Sequence, residues 1–301
     1  MNGATRDPAQ TAPQVRSLSD VSATALLTLF ARVRAAQGAS PILVDPVAQA
    51  WVATLTPLMD TTNPLQRFLS AGKLPARLEV CLGMRARRYD AYAADFLHRY
   101  PQGVIVNLGC GLDTRFERLD AAAAHTGGGP RVVEVDLPPM IALKRILVEP
   151  HPRHHLIAAS VLDSHWMDEI DRYDDRRFLF LAEGVFMYFA PEEVKTLVLA
   201  LTARYPGSEL VCEVCHRFWT RPPLDAWVAG KLRRQLAMGP DARFRFGLSH
   251  SRELESWHPD LHYLGDWSFL DETDARLGFY RLFARVDWIR RIRWHVHYRL
   301  G

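Results

Sequence analysis

What the chain lacks narrows it first. No stretch offers the ~18 uninterrupted apolar residues of a membrane-spanning helix, so a helical membrane protein is excluded. Cysteine is scarce, four in 301 residues, too few for a disulfide framework at this length, and reduced thiols are the expectation. A large excess of one charge is also missing. The formal net charge is +3, no basic tail or aromatic-interleaved basic surface is present, and a nucleic-acid partner is not expected. The short run Arg290, Arg291 and Arg293 reads as a solvated strand face. No export signal and no internal repeat are evident, so the expected location is cytoplasmic. Cys212-Glu-Val-Cys-His216 has the form of a c-type haem attachment site, but it ends a segment patterned as an interior strand. No second Cys or His pair stands at zinc-ligand spacing, so no metal is expected.

What is present is apolar material in quantity: 48% hydrophobic and 24% charged residues suit one large α/β domain carrying appended parts. Residues 1–18, rich in Ala, Thr, Pro and Gln, read as a disordered arm. Residues 19–100 read as N-terminal helices. One spans about 19–37 with Leu26, Leu27, Phe30 and Val33 at helical spacing, and could lie over a ligand cleft; another spans Leu82–His98 with Tyr89, Ala93 and Phe96 as its buried stripe. From residue 101 to 216, strands at Val104, Arg131–Asp136, His155–Ala159, Phe178–Ala182 and Ser208 alternate with helices, the doubly wound pattern of a parallel sheet. Residues 217–270, with scattered prolines and tryptophans, read as a cap over the cleft. Residues 271–301 read as a C-terminal helix and a closing antiparallel strand, Arg291–Tyr298, at or near the sheet edge.

The chemistry concentrates in two places. Val104-Ile-Val-Asn-Leu-Gly-Cys-Gly-Leu-Asp-Thr-Arg115 is an apolar strand running into a Gly-x-Gly turn, and Arg131-Val-Val-Glu-Val-Asp136 ends the next strand on an acid. Gly109 and Gly111 would let a ligand lie against the backbone, and Asp136 would accept ribose hydroxyls. The dinucleotide fingerprint wants a third glycine where Thr114 stands, so a pyrophosphate cradle is disfavoured. S-adenosylmethionine carries no phosphate and needs only close backbone approach, a ribose-binding acid and a group for its amino-acid end. Arg85 lies on the buried side of its helix four residues before Tyr89, and a buried guanidinium implies an anionic partner. That partner is either a structural carboxylate such as Asp90 or Asp113 or the carboxylate of a bound amino-acid cofactor. Asp113 itself reads as a helix cap.

Five ordered segments then resemble a known family: Arg85–Asp90, Asn107–Arg115, Glu134–Pro138, Ser160–Asp163 followed by Trp166, and Ala182–Tyr188. They are similar to the motifs of the leucine carboxyl methyltransferase superfamily, and more to its bacterial polyketide O-methyltransferase branch, of the tetracenomycin type. The resemblance implies a class I S-adenosylmethionine-dependent methyltransferase fold, a Rossmann-like seven-stranded sheet whose last strand is antiparallel. It also implies roles. Arg85 would grip the methionine carboxylate, Gly109 and Gly111 would form the turn, and Asp136 would bond the ribose. Glu183 would sit at the tip of the fourth strand near the methionyl amino group. Relatives carry an acid where Ser160 stands, so the adenine contact would pass to Ser160 or to Asp163. A basic residue of the first helix would add to the carboxylate grip, from Arg34 or Arg32.

The reaction so implied is transfer of a methyl group to a carboxylate or hydroxyl of a small, aromatic or polyketide-like acceptor, leaving S-adenosylhomocysteine. A carboxylate, with pKa near ~4, needs no base at neutral pH. A phenol, near ~10, would be helped by one, for which His216, His250 and His258 are the candidates. The competing readings are a non-catalytic S-adenosylmethionine-binding regulator, a protein C-terminal carboxyl methyltransferase and a nicotinamide oxidoreductase, the last opposed by the missing glycine.

Overall fold

In the computed structural model, residues 8–301 are described apart from 17, 19, 38–39, 73, 124–128, 174–176, 239–242 and 284. Five helices come first: α1 (Pro8–Arg16), α2 (Asp20–Ala35), α3 (Pro46–Leu55), α4 (Pro64–Ser70) and α5 (Ala76–Arg99). The alternating part follows as β1 (Val104–Leu108), α6 (Arg115–Ala123), β2 (Arg131–Asp136), α7 (Pro138–Leu147), β3 (His154–Ala158), α8 (His165–Ile170), β4 (Phe178–Ala182), α9 (Pro191–Arg204) and β5 (Ser208–Cys215). The chain closes with α10 (Leu224–Leu236), β6 (Leu261–Trp267), α11 (Asp287–Arg290) and β7 (Arg293–Leu300).

The strands form one sheet in the order β3-β2-β1-β4-β5-β7-β6. The first five are parallel, while β7 runs antiparallel to both β5 and β6. β1, β4 and β5 are buried along their whole length, which is why they read as near-continuous apolar runs: a parallel strand covered on both faces has no solvent side to alternate with. The chain winds outward from β1 through β2 and β3, then restarts on the other side with β4. That reversal opens a crevice beyond the carboxyl ends of β1 and β4, the position at which open α/β sheets bind ligands.

α5 packs Tyr89, Ala93 and Phe96 beneath the sheet in one cluster with Ile105, Leu179 and Val211. On the other face Val106, Val133, Phe180 and Trp294 join the largest cluster. α2 lies across the crevice, as its apolar face predicts, and contacts α5, α3 and α4.

Two expectations are corrected. The arm at 1–18 is helical in its described part: α1 contacts α7, with Thr11 and Val15 fully buried and Leu18 nearly so. Residues 217–270 are not one insertion, because β6 falls within them and forms the sheet edge. β7 lies between β5 and β6, one strand in from the edge and antiparallel, in keeping with its reading at or near the edge. No helix among the described residues is long and apolar enough to cross a membrane. The Cys212 and Cys215 thiols are buried on β5 and unpaired, and no metal-holding cluster occurs among the described residues.

Candidate active site

The turn after β1 explains its own glycines. Gly109 and Gly111 have φ of +64° and +50°, a region costly for residues with a Cβ. A Cβ on Gly109 would stand 2.6 Å from Val185 Cγ2, and one on Gly111 would stand 2.9 Å from Ala25 Cβ. The chain's own side chains already exclude a larger residue, whereas the sequence suggested that a ligand would. The turn is fastened to the neighbouring strand: the Gly109 N–H donates to the Val135 carbonyl at 2.8 Å, and the Gly111 N–H donates to Asp136 Oδ2 at 2.7 Å. Asp136 Oδ1 accepts from the Leu137 N–H, also at 2.7 Å. Burial raises the Asp136 carboxyl above its ordinary range, and those two N–H bonds oppose the shift without cancelling it. Thr114, where a third glycine would stand, is fully buried and donates to Asp45 Oδ2 at 2.6 Å.

Beside the turn runs a row of alternating charges. Arg115 Nη2 donates to Glu183 Oε2 at 2.6 Å, and Arg85 Nε donates to Glu183 Oε1 at 2.8 Å. Arg85 Nη1 donates to Glu213 Oε2 at 2.8 Å, and Arg293 Nε donates to Glu213 Oε1 at 2.9 Å. The buried Arg85 therefore does have carboxylate partners, but neither is Asp90 or Asp113. Those two acids serve Arg115 and Arg118 instead, and Asp113 accepts from Asn107 Nδ2 rather than capping α6. Burial pushes the Glu213 carboxyl up, but the guanidiniums of Arg293 and Arg85 outweigh it and hold the group down at about 2. Burial likewise opposes ionisation of Glu183, and Arg85 and Arg115 keep its carboxyl below the usual range.

One cavity gathers these groups. Arg85, Gly109, Gly111, Asp136, Ser160 and Glu183 all line it. α2 supplies one wall, including Ala25 and Arg32, and the segment around α10 supplies another through Leu232, Leu236, Met238 and Phe244.

Other expected residues stand elsewhere. Arg34 is 44% exposed, 3.5 Å from Glu79, and outside the cavity, because α2 turns it to the opposite side from Arg32. Arg32 is buried and lines the cavity; its Nη2 donates to the Leu112 carbonyl at 2.6 Å, and its Nε stands 3.5 Å from Asp45 Oδ2 in an ion pair. Asp163 is half-exposed, paired with His165 at 2.5 Å, and does not reach the cavity; Ser160 does, though its Oγ accepts from the Leu162 N–H at 3.2 Å. His216, His250 and His258 are absent from the lining. His216 instead caps a short 3₁₀ turn through Phe218 N, and His258 accepts from Asp260 N.

The cavity residues that sequence reasoning passed over are Tyr188 and Arg293, together with Glu213 behind them, whereas Arg32 was named as the alternative to Arg34. Glu213 carried a signal: it is one of two acids, with Glu209, in an interior strand that is otherwise mostly apolar, and such groups are rarely buried unpaired.

The glycine turn, the acid-tipped second strand and the sheet order together define a methyltransferase of the seven-stranded Rossmann-like class. Solved structures share the fold: a DUF574 family protein from Streptomyces avermitilis (TM-score 0.53, 17% identity, 75% of this chain and 86% of the other) and a protein from Thermobifida fusca (TM-score 0.53, 19% identity, 78% and 88%). The chain belongs to the leucine carboxyl methyltransferase family, whose model matches residues 25–202. It is similar to the tetracenomycin polyketide synthesis O-methyltransferase of Streptomyces glaucescens, 29% identical over 86% of this chain and 88% of the relative. It is also similar to an S-adenosyl-L-methionine-dependent methyltransferase of Gibberella zeae, 27% identical over 93% and 91%.

Proposed function

We propose that this protein is an S-adenosylmethionine-dependent O-methyltransferase that modifies a small, aromatic or polyketide-like acceptor at a carboxylate or hydroxyl oxygen, within a single cytoplasmic methyltransferase domain. The observation that carries the reading is the Asp136 carboxylate tied to the Gly111 N–H at the rim of the cavity.

The residues present fit the cofactor. Each Asp136 oxygen takes one backbone N–H and keeps a lone pair for a ribose hydroxyl. Arg32 is a buried guanidinium on the cavity wall, held by the Leu112 carbonyl and by Asp45; next to Arg85, it would hold the amino-acid carboxylate. The bound cofactor would supply an activated methyl on a sulfonium. The chain's own contribution is alignment and exclusion of water by α2 and by the α10 segment.

A protein base is not part of this mechanism. The three candidate histidines stand outside the cavity. Burial pushes the Tyr188 phenol up to about 12, so Tyr188 stays protonated at neutral pH and donates a hydrogen bond rather than taking a proton. The acceptor oxygen must arrive ionised or lose its proton to water.

Isothermal titration with S-adenosylmethionine and, separately, NAD tests the reading, using the wild type, Arg85→Ala and Asp136→Ala. Micromolar binding of S-adenosylmethionine alone, weakened by both substitutions, is expected. A folded protein free of copurified ligand that binds no S-adenosylmethionine would overturn it.

A further inference from the structure

Three guanidiniums line the cavity: Arg32, Arg85 and Arg293. Arg32 and Arg85 are taken up by the cofactor reading, but Arg293 is not. It is the first residue of β7 and pairs in register with Cys215, the last residue of β5, so it stands at the same rim of the sheet as Asp136 and Glu183. The same cavity is lined by the apolar Leu232, Met238 and Phe244 and by Tyr188, whose ring packs edge-on to Phe244 with centroids 5.8 Å apart.

The charge row is asymmetric at its two ends. Arg115 has Asp90 and Asp113 beyond Glu183. Arg293 has only Glu213, already shared with Arg85, and no second carboxylate among the described residues. The row therefore ends on surplus positive charge where it meets the cavity. Both Nε and Nη2 of Arg293 donate to Glu213 Oε1, which locks the guanidinium plane, while Nη1 has no partner among the described residues. The side chain is 32% exposed, and the Tyr188 hydroxyl likewise has no hydrogen-bond partner among the described residues. A fixed guanidinium with a spare N–H in apolar surroundings is a binding site for a planar oxyanion.

From this we infer that Arg293 and Tyr188 form an anion subsite that binds the ionised oxygen group of the methyl acceptor, with Glu213 as the positioning residue that fixes Arg293. The inference rests on the proposed methyltransferase function and adds which side chains select the acceptor. Carboxylate and phenolate share the required chemistry, and the experiment separates them.

Binding of 2-naphthoate, of 4-nitrophenolate at pH 8 and of uncharged 2-naphthamide is measured by isothermal titration with S-adenosylhomocysteine present, for the wild type, Arg293→Gln, Arg293→Lys and Tyr188→Phe. In the wild type at least one anion binds ten or more times as tightly as the amide, and the tighter one identifies the oxygen class. Arg293→Gln abolishes that preference while S-adenosylhomocysteine affinity stays within twofold. Arg293→Lys keeps part of it, and Tyr188→Phe lowers anion affinity about threefold without affecting the amide. If Arg293→Gln does not fold, the lysine and phenylalanine variants carry the test. Equal binding of anions and amide by the wild type, or an anion preference unchanged in the variants, overturns the subsite. So does a loss of S-adenosylhomocysteine affinity as large as the loss for the anion, which would move Arg293 to the cofactor end. A wild type that binds no S-adenosylhomocysteine would instead overturn the cofactor reading, and the same anion titrations without it would still decide for or against Arg293.

Discussion

Arg85 and Arg293 grip opposite oxygens of one buried carboxylate, that of Glu213. This single acid, 1% exposed, joins a helix from the first third of the chain to the last strand, and it does so at the rim of the cavity.

Its acid response follows from the sign of its shift. The Glu213 carboxyl sits at about 2 in the fold against an ordinary 4.5, so its ionised form stabilises the fold at pH values above 4.5. The contribution, about 3 kcal/mol, disappears as the pH falls from 4.5 to 2. Glu213→Gln is expected to lower stability by several kcal/mol at pH 7, because the buried Arg85 and the partly exposed Arg293 lose their shared partner. Urea unfolding at a series of pH values checks this: the gap between wild type and variant should narrow between pH 5 and pH 2, and a constant gap would refute the assignment.

Gly109→Ala is expected to cost about 1–3 kcal/mol, combining positive-φ strain with the Val185 collision. Adding Val185→Ala should recover the steric share alone. Thermal denaturation of the two variants separates them, since full recovery would mean that the backbone angle carries no penalty.

Arg32 and Arg34 stand two residues apart and should behave oppositely. Arg34→Ala is expected to leave S-adenosylmethionine affinity within twofold, and Arg32→Ala to lower it tenfold or more. The fold should tolerate the Arg32 change because Asp45 retains Arg118 and Thr114. Titration calorimetry of both variants decides, and similar effects would remove Arg32 from the site.

Deleting residues 1–18 is expected to lower stability by roughly 2–4 kcal/mol, the scale of uncovering Val15 and Leu18 and the α7 surface that α1 contacts. A melting temperature unchanged by the deletion would show that α1 contributes nothing to the fold.

The central fold was readable because its signals are local. Buried parallel strands make apolar runs, and α5 announces itself through Tyr89, Ala93 and Phe96 at helical spacing. β6 was hidden because its alternation is broken: the register with β7 shifts between Tyr263 and Gly265, so Leu261 and Trp267 are both buried while Leu264 is 46% exposed. A bulge of this kind erases the period by which a strand is recognised. α1 was hidden because nothing in its composition shows the α7 surface that Thr11 and Val15 cover.

The site divides along the same line. Gly109, Gly111, Asp136 and Glu183 sit at strand ends, where short motifs place them. Arg293 was read as a solvated strand residue because only its pairing with Glu213, 80 residues earlier, turns it to the cavity. The histidines drew notice for their chemistry, and none of the three lines the cavity.

The placing of β7 between β5 and β6 also orders events at synthesis. β6 emerges earlier but has no strand to pair with until β7 arrives, and the β5–β7 ladder closes across contacts distant in sequence, which are slow to form. Arg293 enters the rim in that same closure. A nascent chain that stops short of its last ten residues would thus already hold the glycine turn and Asp136, yet would lack Arg293, both the partner of Glu213 and the charge proposed to face an acceptor. The cofactor half of the cavity would then be built before the proposed acceptor half, which waits for the final strand.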